Sequence, residues 1–113
     1  MRRREFHGHQ LYMKLTEEEL LLHSAKNKDY ARGGDPLGNF KRVANILDLY
    51  PDLDLSDPAV IAIIFSLKQM DAALWMLSQH FEGDTEDFDG RAADTHVYWK
   101  IARILHGQQK ESK

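Results

Sequence analysis

The run SDPAVIAIIFSLKQMDAALWMLSQHF, residues 56–81, decides the fold class. Asp57 followed by Pro58 is a helix start signal. Aspartate accepts a backbone N–H at the N-cap, and proline is tolerated at the first helical position. No glycine or second proline interrupts the apolar residues that follow, so we predict one long helix to about Phe81, with Gly83 as its stop signal.

This helix is apolar on two sides. One side carries Ile61, Ile64, Phe65 and Trp75, and the other carries Ile63, Leu67, Met70, Leu74 and Leu77. A helix that is apolar nearly all round needs neighbours on both sides, which three other short helices do not easily supply. We therefore expect a homo-oligomer, in the simplest case a dimer with this helix at the interface. The alternative is a central helix inside a compact monomer.

Polar residues interrupt the same helix at its middle, where Lys68, Gln69 and Asp71 fall. A charge at the centre of a bilayer costs several kcal/mol. We therefore expect this helix to lie inside a water-soluble protein and not to span a membrane.

Three further helices are predicted, and no strand. Their expected bounds are Thr16 to about Tyr30, Asp35 to Pro51, and about Arg91 to His106. The first rests on a capping box of Thr16 with Glu19, and the second on an N-cap and first-turn pair of Asp35 with Pro36. We thus expect an all-α four-helix bundle over residues 16–107, an N-terminal arm of residues 1–15 and a frayed tail of residues 108–113.

Composition fits one soluble domain, because 113 residues with 42% hydrophobic and 29% charged side chains are ordinary values for a globular protein. The absence of cysteine excludes disulfides, thiolate zinc sites and a cysteine nucleophile, and is compatible with the cytoplasm. A net charge of -3 gives no general attraction to nucleic acid or to anionic membranes. Nucleic acid binding is therefore not expected, and DNA binding by the one basic run, Arg2-Arg3-Arg4, is left as a weak alternative.

Charged residues stand at positions where a core residue is expected. Lys68 shares a helical line with Ile61 and Ile64, Asp71 lies one turn further on, and Asp94 begins the apolar stripe of the fourth helix. A buried charge must be paired, bind a ligand or reach solvent. We predict that Lys68, Asp71 and Asp94 line a polar pocket inside the bundle; the alternative is an ion-pair network that staples two helices.

Two other segments offer polar groups to such a pocket. His23, Asn27 and Tyr30 share one face of the first helix, with Lys26 beside them; the alternative is a solvated face. The Gly33-Gly34-Asp35-Pro36 turn presents the backbone N–H groups of Leu37, Gly38 and Asn39, where a phosphate could dock beside Arg32, Lys41 and Arg42. A tight helix–helix connection explains these glycines equally well.

One block of sequence is similar to a known group of proteins. Lys28-Asp29-Tyr30 and the run from Gly34 to Ala44, with Asn39-Phe40 and Arg42 inside it, resemble a signature of small phage and prophage proteins. These are grouped near the MazG-like all-α nucleotide pyrophosphatases. The similarity continues through residues 55–60 and Leu67-Lys68 and ends at Asp94-Thr95-His96-Val97-Tyr98, so that it covers about residues 20–105.

The resemblance implies a MazG-like helical bundle, often dimeric, with a nucleotide-sized pocket. In MazG-like enzymes, acidic residues on two helices hold Mg²⁺ on a triphosphate, which is hydrolysed to a monophosphate and pyrophosphate. This chain departs from that pattern: His23, Lys26 and Asn27 stand where acids are expected, and Lys68 with Asp71 replaces an acidic pair. Asp94 alone clearly matches a metal-ligand position, so that any pyrophosphohydrolase would have a degenerate metal motif.

Taken together, these features predict a cytoplasmic protein, in the host cytoplasm if phage-encoded, that binds a nucleotide or its phosphates. Lys68 and Arg42 would contact phosphate, Asn39, His23 and Asn27 would supply polar contacts, and Tyr30 or Tyr98 would stack on a base. Asp29, Asp71 and Asp94 would hold Mg²⁺ or sugar hydroxyls. The alternatives are a non-enzymatic nucleotide sponge or inhibitor, and a purely structural oligomer.

Overall fold

A computed structural model describes residues 5–31, 34–83 and 87–112, with the side chains of Asp29 and Tyr30 left out. Within these ranges the chain forms four α-helices and no strand, which confirms the all-α prediction. The helices are α1 (Gln10–Tyr30), α2 (Gly38–Asp48), α3 (Pro58–Gln79) and α4 (Phe88–Glu111).

Helix α3 begins where the sequence predicts. Asp57 is its N-cap, and the Asp57 carboxylate accepts a hydrogen bond of 2.9 Å from the backbone N–H of Ala59. The helix ends at Gln79, before the expected stop at Gly83, because His80 takes up a left-handed conformation with φ of 57°. The backbone N–H of Phe81 then bonds to the carbonyl of Met76 at 3.1 Å, which closes the last turn.

Helix α1 begins at Gln10, six residues before the predicted start. His9 is the N-cap, and its Nδ1 accepts a hydrogen bond of 3.1 Å from the backbone N–H of Leu11. The Thr16 hydroxyl donates to the carbonyl of Tyr12, four residues back, at 2.8 Å. Thr16 is therefore a mid-helix residue, and the predicted capping box does not start this helix.

Helix α2 begins at Gly38, three residues after Asp35. The Asp35 carboxylate accepts the backbone N–H of Leu37 at 2.9 Å, and the Asp35 carbonyl accepts the N–H of Gly38 at 3.0 Å. Asp35 thus closes a turn ahead of the helix, and Leu37 is the N-cap residue. The helix ends at Asp48, before Pro51, as the proline predicts.

Helix α4 is longer than predicted at both ends. Asp87 caps its start through a hydrogen bond of 2.8 Å from the backbone N–H of Gly90, and the helix passes through Gly107 to Glu111. A single glycine inside a helix costs only about 1 kcal/mol, so Gly107 does not end it. The amide of Gln109 donates to the Asp57 carboxylate at 2.7 Å, and this bond ties the predicted frayed tail to the start of α3.

Helices α3 and α4 pack along one another, and α2 and the end of α1 lie on α3. The buried apolar residues among those described are Met76 and five alanines: Ala31, Ala59, Ala62, Ala72 and Ala102. Small side chains let two helix backbones approach closely, but they bury little apolar surface. The core of one chain is correspondingly thin.

The chain is extended for its length. Its radius of gyration is 18.5 Å, whereas a compact domain of 113 residues has about 13 Å. Residues 10–26 of α1 are all exposed. The compact monomer with a fully covered central helix therefore does not describe this chain.

Among the described residues, α3 is the one helix long and apolar enough to cross a membrane, by length and composition alone. Its most apolar window has a mean hydropathy of 1.6. The same helix holds the buried carboxylate of Asp71.

Candidate ligand-binding site

A cavity of about 250 Å³ lies between α1, the start of α2 and the middle of α3. Its polar lining is Glu19, His23, Lys26, Asn27, Asn39 and Lys68, and its apolar lining is Leu22, Pro36, Leu37 and Phe40. Four predicted site residues therefore come together here, from three helices: His23, Asn27, Asn39 and Lys68. The volume is just below the range of about 300–1,000 Å³ that is usual for small-molecule sites.

The α1 wall of the cavity is a polar pair one helical turn apart. The amide nitrogen of Asn27 lies 3.0 Å from Nδ1 of His23 and donates to the His23 carbonyl at 3.2 Å. These contacts fix the orientation of both side chains along the helix. Lys26 and Glu19 lie on the same wall, seven residues and thus two turns apart.

Asn39 forms the α2 wall and is buried, with 7% of its surface exposed. Its amide nitrogen donates to the Asp71 carboxylate at 2.7 Å and to the backbone carbonyl of Lys68 at 3.3 Å. Asn39 thereby holds the start of α2 against the turn of α3 that carries Lys68. These two hydrogen bonds of Asn39 therefore help to position Lys68 in the wall of the cavity.

Behind this wall, Arg42 and Asp71 form a two-point ion pair. Nε of Arg42 donates to Oδ1 of Asp71 at 2.7 Å, and Nη2 donates to Oδ2 at 2.9 Å. The hydrogen-bonded Asp71 carboxylate raises the pKa of Arg42 above its usual value. The guanidinium also lies 4.8 Å from the centre of the Trp75 ring, and Nε1 of Trp75 donates to the carbonyl of Ala31 at 3.1 Å.

This network separates the charges that were predicted to share one pocket. Lys68 lines the cavity, whereas Arg42 and Asp71 are not among its described lining residues and bind each other. Asp94 is half-buried on α4 and also lies outside the lining. Sequence patterns found the charged positions but did not indicate which of them face one another, because that depends on how α2 is oriented on α3.

The described residues do not fit a magnesium site. Both oxygens of Asp71 already accept hydrogen bonds from Arg42 or Asn39. Across the described ranges, no group of three or more His, Cys, Asp or Glu side chains could hold a metal ion. The side chain of Asp29, the third predicted ligand, lies outside the described residues.

The predicted aromatic contacts are placed differently. Tyr98 packs edge-on against Phe65, with ring centres 5.6 Å apart, and is not in the cavity lining. The side chain of Tyr30 lies outside the described residues. Phe40 is the aromatic residue of the cavity, and it is 68% exposed. In the sequence Phe40 stands next to Asn39, and this position was the available signal.

The remaining predicted groups lie elsewhere. Between α3 and α4, Asp87 caps α4 and the Glu82 carboxylate accepts the backbone N–H of Phe88 at 3.1 Å. Glu86, Arg32, Gly33 and the Arg2-Arg3-Arg4 cluster lie outside the described residues.

Comparison with protein-family models, with curated proteins and with solved structures gives no match to this chain.

Proposed function

We propose that the protein binds a nucleotide, or the phosphates of one, in the cavity between α1 and α2. The observation that carries this proposal is the composition of the wall: two lysines from different helices, Lys26 and Lys68, stand around the same space as Leu37 and the exposed ring of Phe40. Lysine is a common phosphate ligand, and an aromatic ring can stack on any nucleotide base. His23 and Asn27 add hydrogen-bonding groups suited to a sugar or a base edge.

The function proposed is binding without hydrolysis, as in a nucleotide sponge or an inhibitor. The resemblance to MazG-like enzymes suggests Mg²⁺ and hydrolysis to a monophosphate and pyrophosphate. That chemistry needs carboxylates around a metal, and the pairing of Asp71 with Arg42 removes one of them. The two lysines of the cavity, whose lining also holds Glu19, instead offer direct contacts to phosphate oxygens. The absence of cysteine and the buried charge within α3 support a cytoplasmic protein that does not span a membrane.

A thermal-shift screen with ribonucleoside and deoxyribonucleoside phosphates at millimolar concentration, with and without Mg²⁺, tests this proposal. A ligand at one hundred times its Kd adds about 2.7 kcal/mol to the stability of the folded state. For a chain of 113 residues this corresponds to a rise of about 11 °C in Tm. If no nucleotide raises the Tm, the proposal is wrong.

Lys68→Met locates the binding site, and Lys110→Met is its matched control. Lys68 lines the cavity, whereas Lys110 is exposed in the last turn of α4. We expect Lys68→Met to abolish the nucleotide-induced shift and Lys110→Met to retain it. Equal shifts in both variants would mean that the nucleotide binds elsewhere. Pyrophosphate release is measured in parallel over hours with Mg²⁺, and release above background would make the protein an enzyme.

A purely structural oligomer is the second candidate. It is favoured by the Arg42–Asp71–Asn39 network, which satisfies a buried charge by stapling α2 to α3, and by the extended shape of the chain. Under this hypothesis no nucleotide binds, and Asp94→Asn lowers the Tm without any other effect. The two candidates are separated by the nucleotide screen.

A further inference from the structure

One chain exposes far more surface than a compact monomer does. Its accessible surface is 9149 Å², whereas a folded monomer of 13.1 kDa exposes about 6,400 Å². For two chains the excess of about 2,800 Å² each sums to about 5,600 Å², at the upper end of obligate interfaces, which bury about 2,000–5,000 Å² or more over both partners. The area therefore indicates an interface with a second protein surface of similar size.

Part of the uncovered surface is a groove between α3 and α4. Exposed large apolar side chains also lie on α1, on α2 and on the segment that joins α2 to α3. The groove, of about 260 Å³, is lined by Met70, Ala73, Leu74 and Leu77 of α3 and by Phe88, Ala92, Thr95 and His96 of α4. Leu74 and Leu77 remain 57% and 55% exposed. They belong to the second apolar side of α3. Leu74 follows Asp71 by three residues, so this side is adjacent to the one that binds α2 through Asp71.

Helix α1 has the complementary surface. Leu11, Leu15 and Leu22, the last of which also lines the cavity described above, recur at the spacing of one helical face, and all three are more than half exposed. Glu18 lies beside this face, three residues from Leu15 and four from Leu22. On the groove side of α4, Arg103 follows His96 by seven residues, or two turns, so that basic groups flank the position where an acidic helix face would rest.

We propose that the α3–α4 groove binds α1 of a second copy, so that two chains exchange their first helices in a symmetric dimer. A two-fold axis makes the exchange reciprocal, since the groove of each chain receives α1 of the other chain. A contact between the two α3 helices alone would cover Leu74 and Leu77 but would leave the leucines of α1 in water. The exchange covers both sets at once. The proposal does not depend on ligand binding.

Single-cysteine cross-linking tests which surfaces meet, and it is clean because the chain has no cysteine of its own. Leu15→Cys and Leu74→Cys are co-expressed as differently tagged chains, purified as a mixed assembly and oxidised. We expect the mixed pair to give at least five times more disulfide-linked dimer than either variant alone. Leu15→Cys with Leu49→Cys is the control, since Leu49 is 73% exposed at the end of α2, away from the groove.

Light scattering of the unmodified chain at tens of micromolar gives the assembly state. We expect twice the mass of one chain, and Leu74→Glu to weaken dimerisation at least tenfold while Leu49→Glu leaves it unchanged. The mass of a single chain would overturn the proposal. So would a dimer whose cross-links form mainly between two Leu74→Cys chains, or equally with the Leu49→Cys control, because α1 would then not be the occupant.

Discussion

Replacing Asp71 by asparagine keeps the size of the side chain but removes the charge that Arg42 binds. The Asp71 side chain is 8% exposed and accepts two hydrogen bonds from Arg42, so that the aspartate end of the ion pair is buried. Removing one partner of a fully buried pair costs about 3–5 kcal/mol. Because the Arg42 side chain is 37% exposed and regains water, we expect a smaller loss, about 2–3 kcal/mol.

The loss is measured as a change in Tm by circular dichroism, at one protein concentration because the melting of a dimer depends on concentration. With an unfolding entropy of about 2.1 cal/mol/K per residue, 113 residues give a fall of about 8–13 °C. Asp35→Asn is the control: its ion pair with Lys41 is short, at 2.6 Å, but both partners are largely exposed, and we expect a much smaller change.

A second variant separates the ion pair from its surroundings. Removing both charges, in Arg42→Met with Asp71→Leu, avoids an unpaired buried group and is expected to recover much of the lost stability. A fall of less than about 2 °C for Asp71→Asn, or one no larger than that of the Asp35 control, would refute the reasoning. The network would then be a surface feature that does not hold α2 in place.

Three further predictions concern local structure. His80→Gly relieves the left-handed conformation at the end of α3, and we expect a gain of about 0.5–1 kcal/mol in urea unfolding; a loss would mean that the His80 side chain stabilises the turn. Gln109→Ala removes the largest of the contacts that lower the pKa of Asp57. The lowered pKa of Asp57 stabilises the folded state at pH values above 3.8, the pKa of an unperturbed aspartate, and this stabilisation is lost as the pH falls through the pKa of the folded state. The variant should therefore show a higher Asp57 pKa in an NMR titration, and it should unfold in acid at a higher pH. In Gly34→Ala the new Cβ would lie 2.9 Å from the Trp75 ring and 3.1 Å from the Ala31 carbonyl, and we expect a lower Tm with altered tryptophan fluorescence; unchanged fluorescence would contradict the close packing.

The sequence predicted those helix boundaries that local chemistry determines. The start of α3 follows from Asp57 and Pro58 alone, and the structure has it there. The start of α1 was wrong because His9, a residue that is not among the preferred N-caps, takes the place of the stronger signal at Thr16. The end of α4 was wrong because its last turn is held by a distant residue, Asp57.

In the candidate site, too, contacts within one helix could be predicted from the sequence, whereas contacts between helices could not. His23 and Asn27 were grouped correctly because residues four apart share a helix face. The partner of Asp71 could not be read from one helix, since Arg42 and Asn39 reach it from another element 29 and 32 residues away in sequence. Phe40 was missed for a related reason: an aromatic residue on an amphipathic stripe is usually buried, and here it is exposed beside the cavity.

Alanine makes up most of the buried apolar residues described in this chain, and it has no side-chain rotamers. Ala59, Ala62, Ala72 and Ala102 therefore cannot adjust to a shift of a helix by changing rotamer. A shift of α4 would have to be taken up by its backbone. Its two anchors, the Gln109–Asp57 bond at one end and the Arg91–Gln69 bond of 3.1 Å near the other, would set the pivot of such a motion.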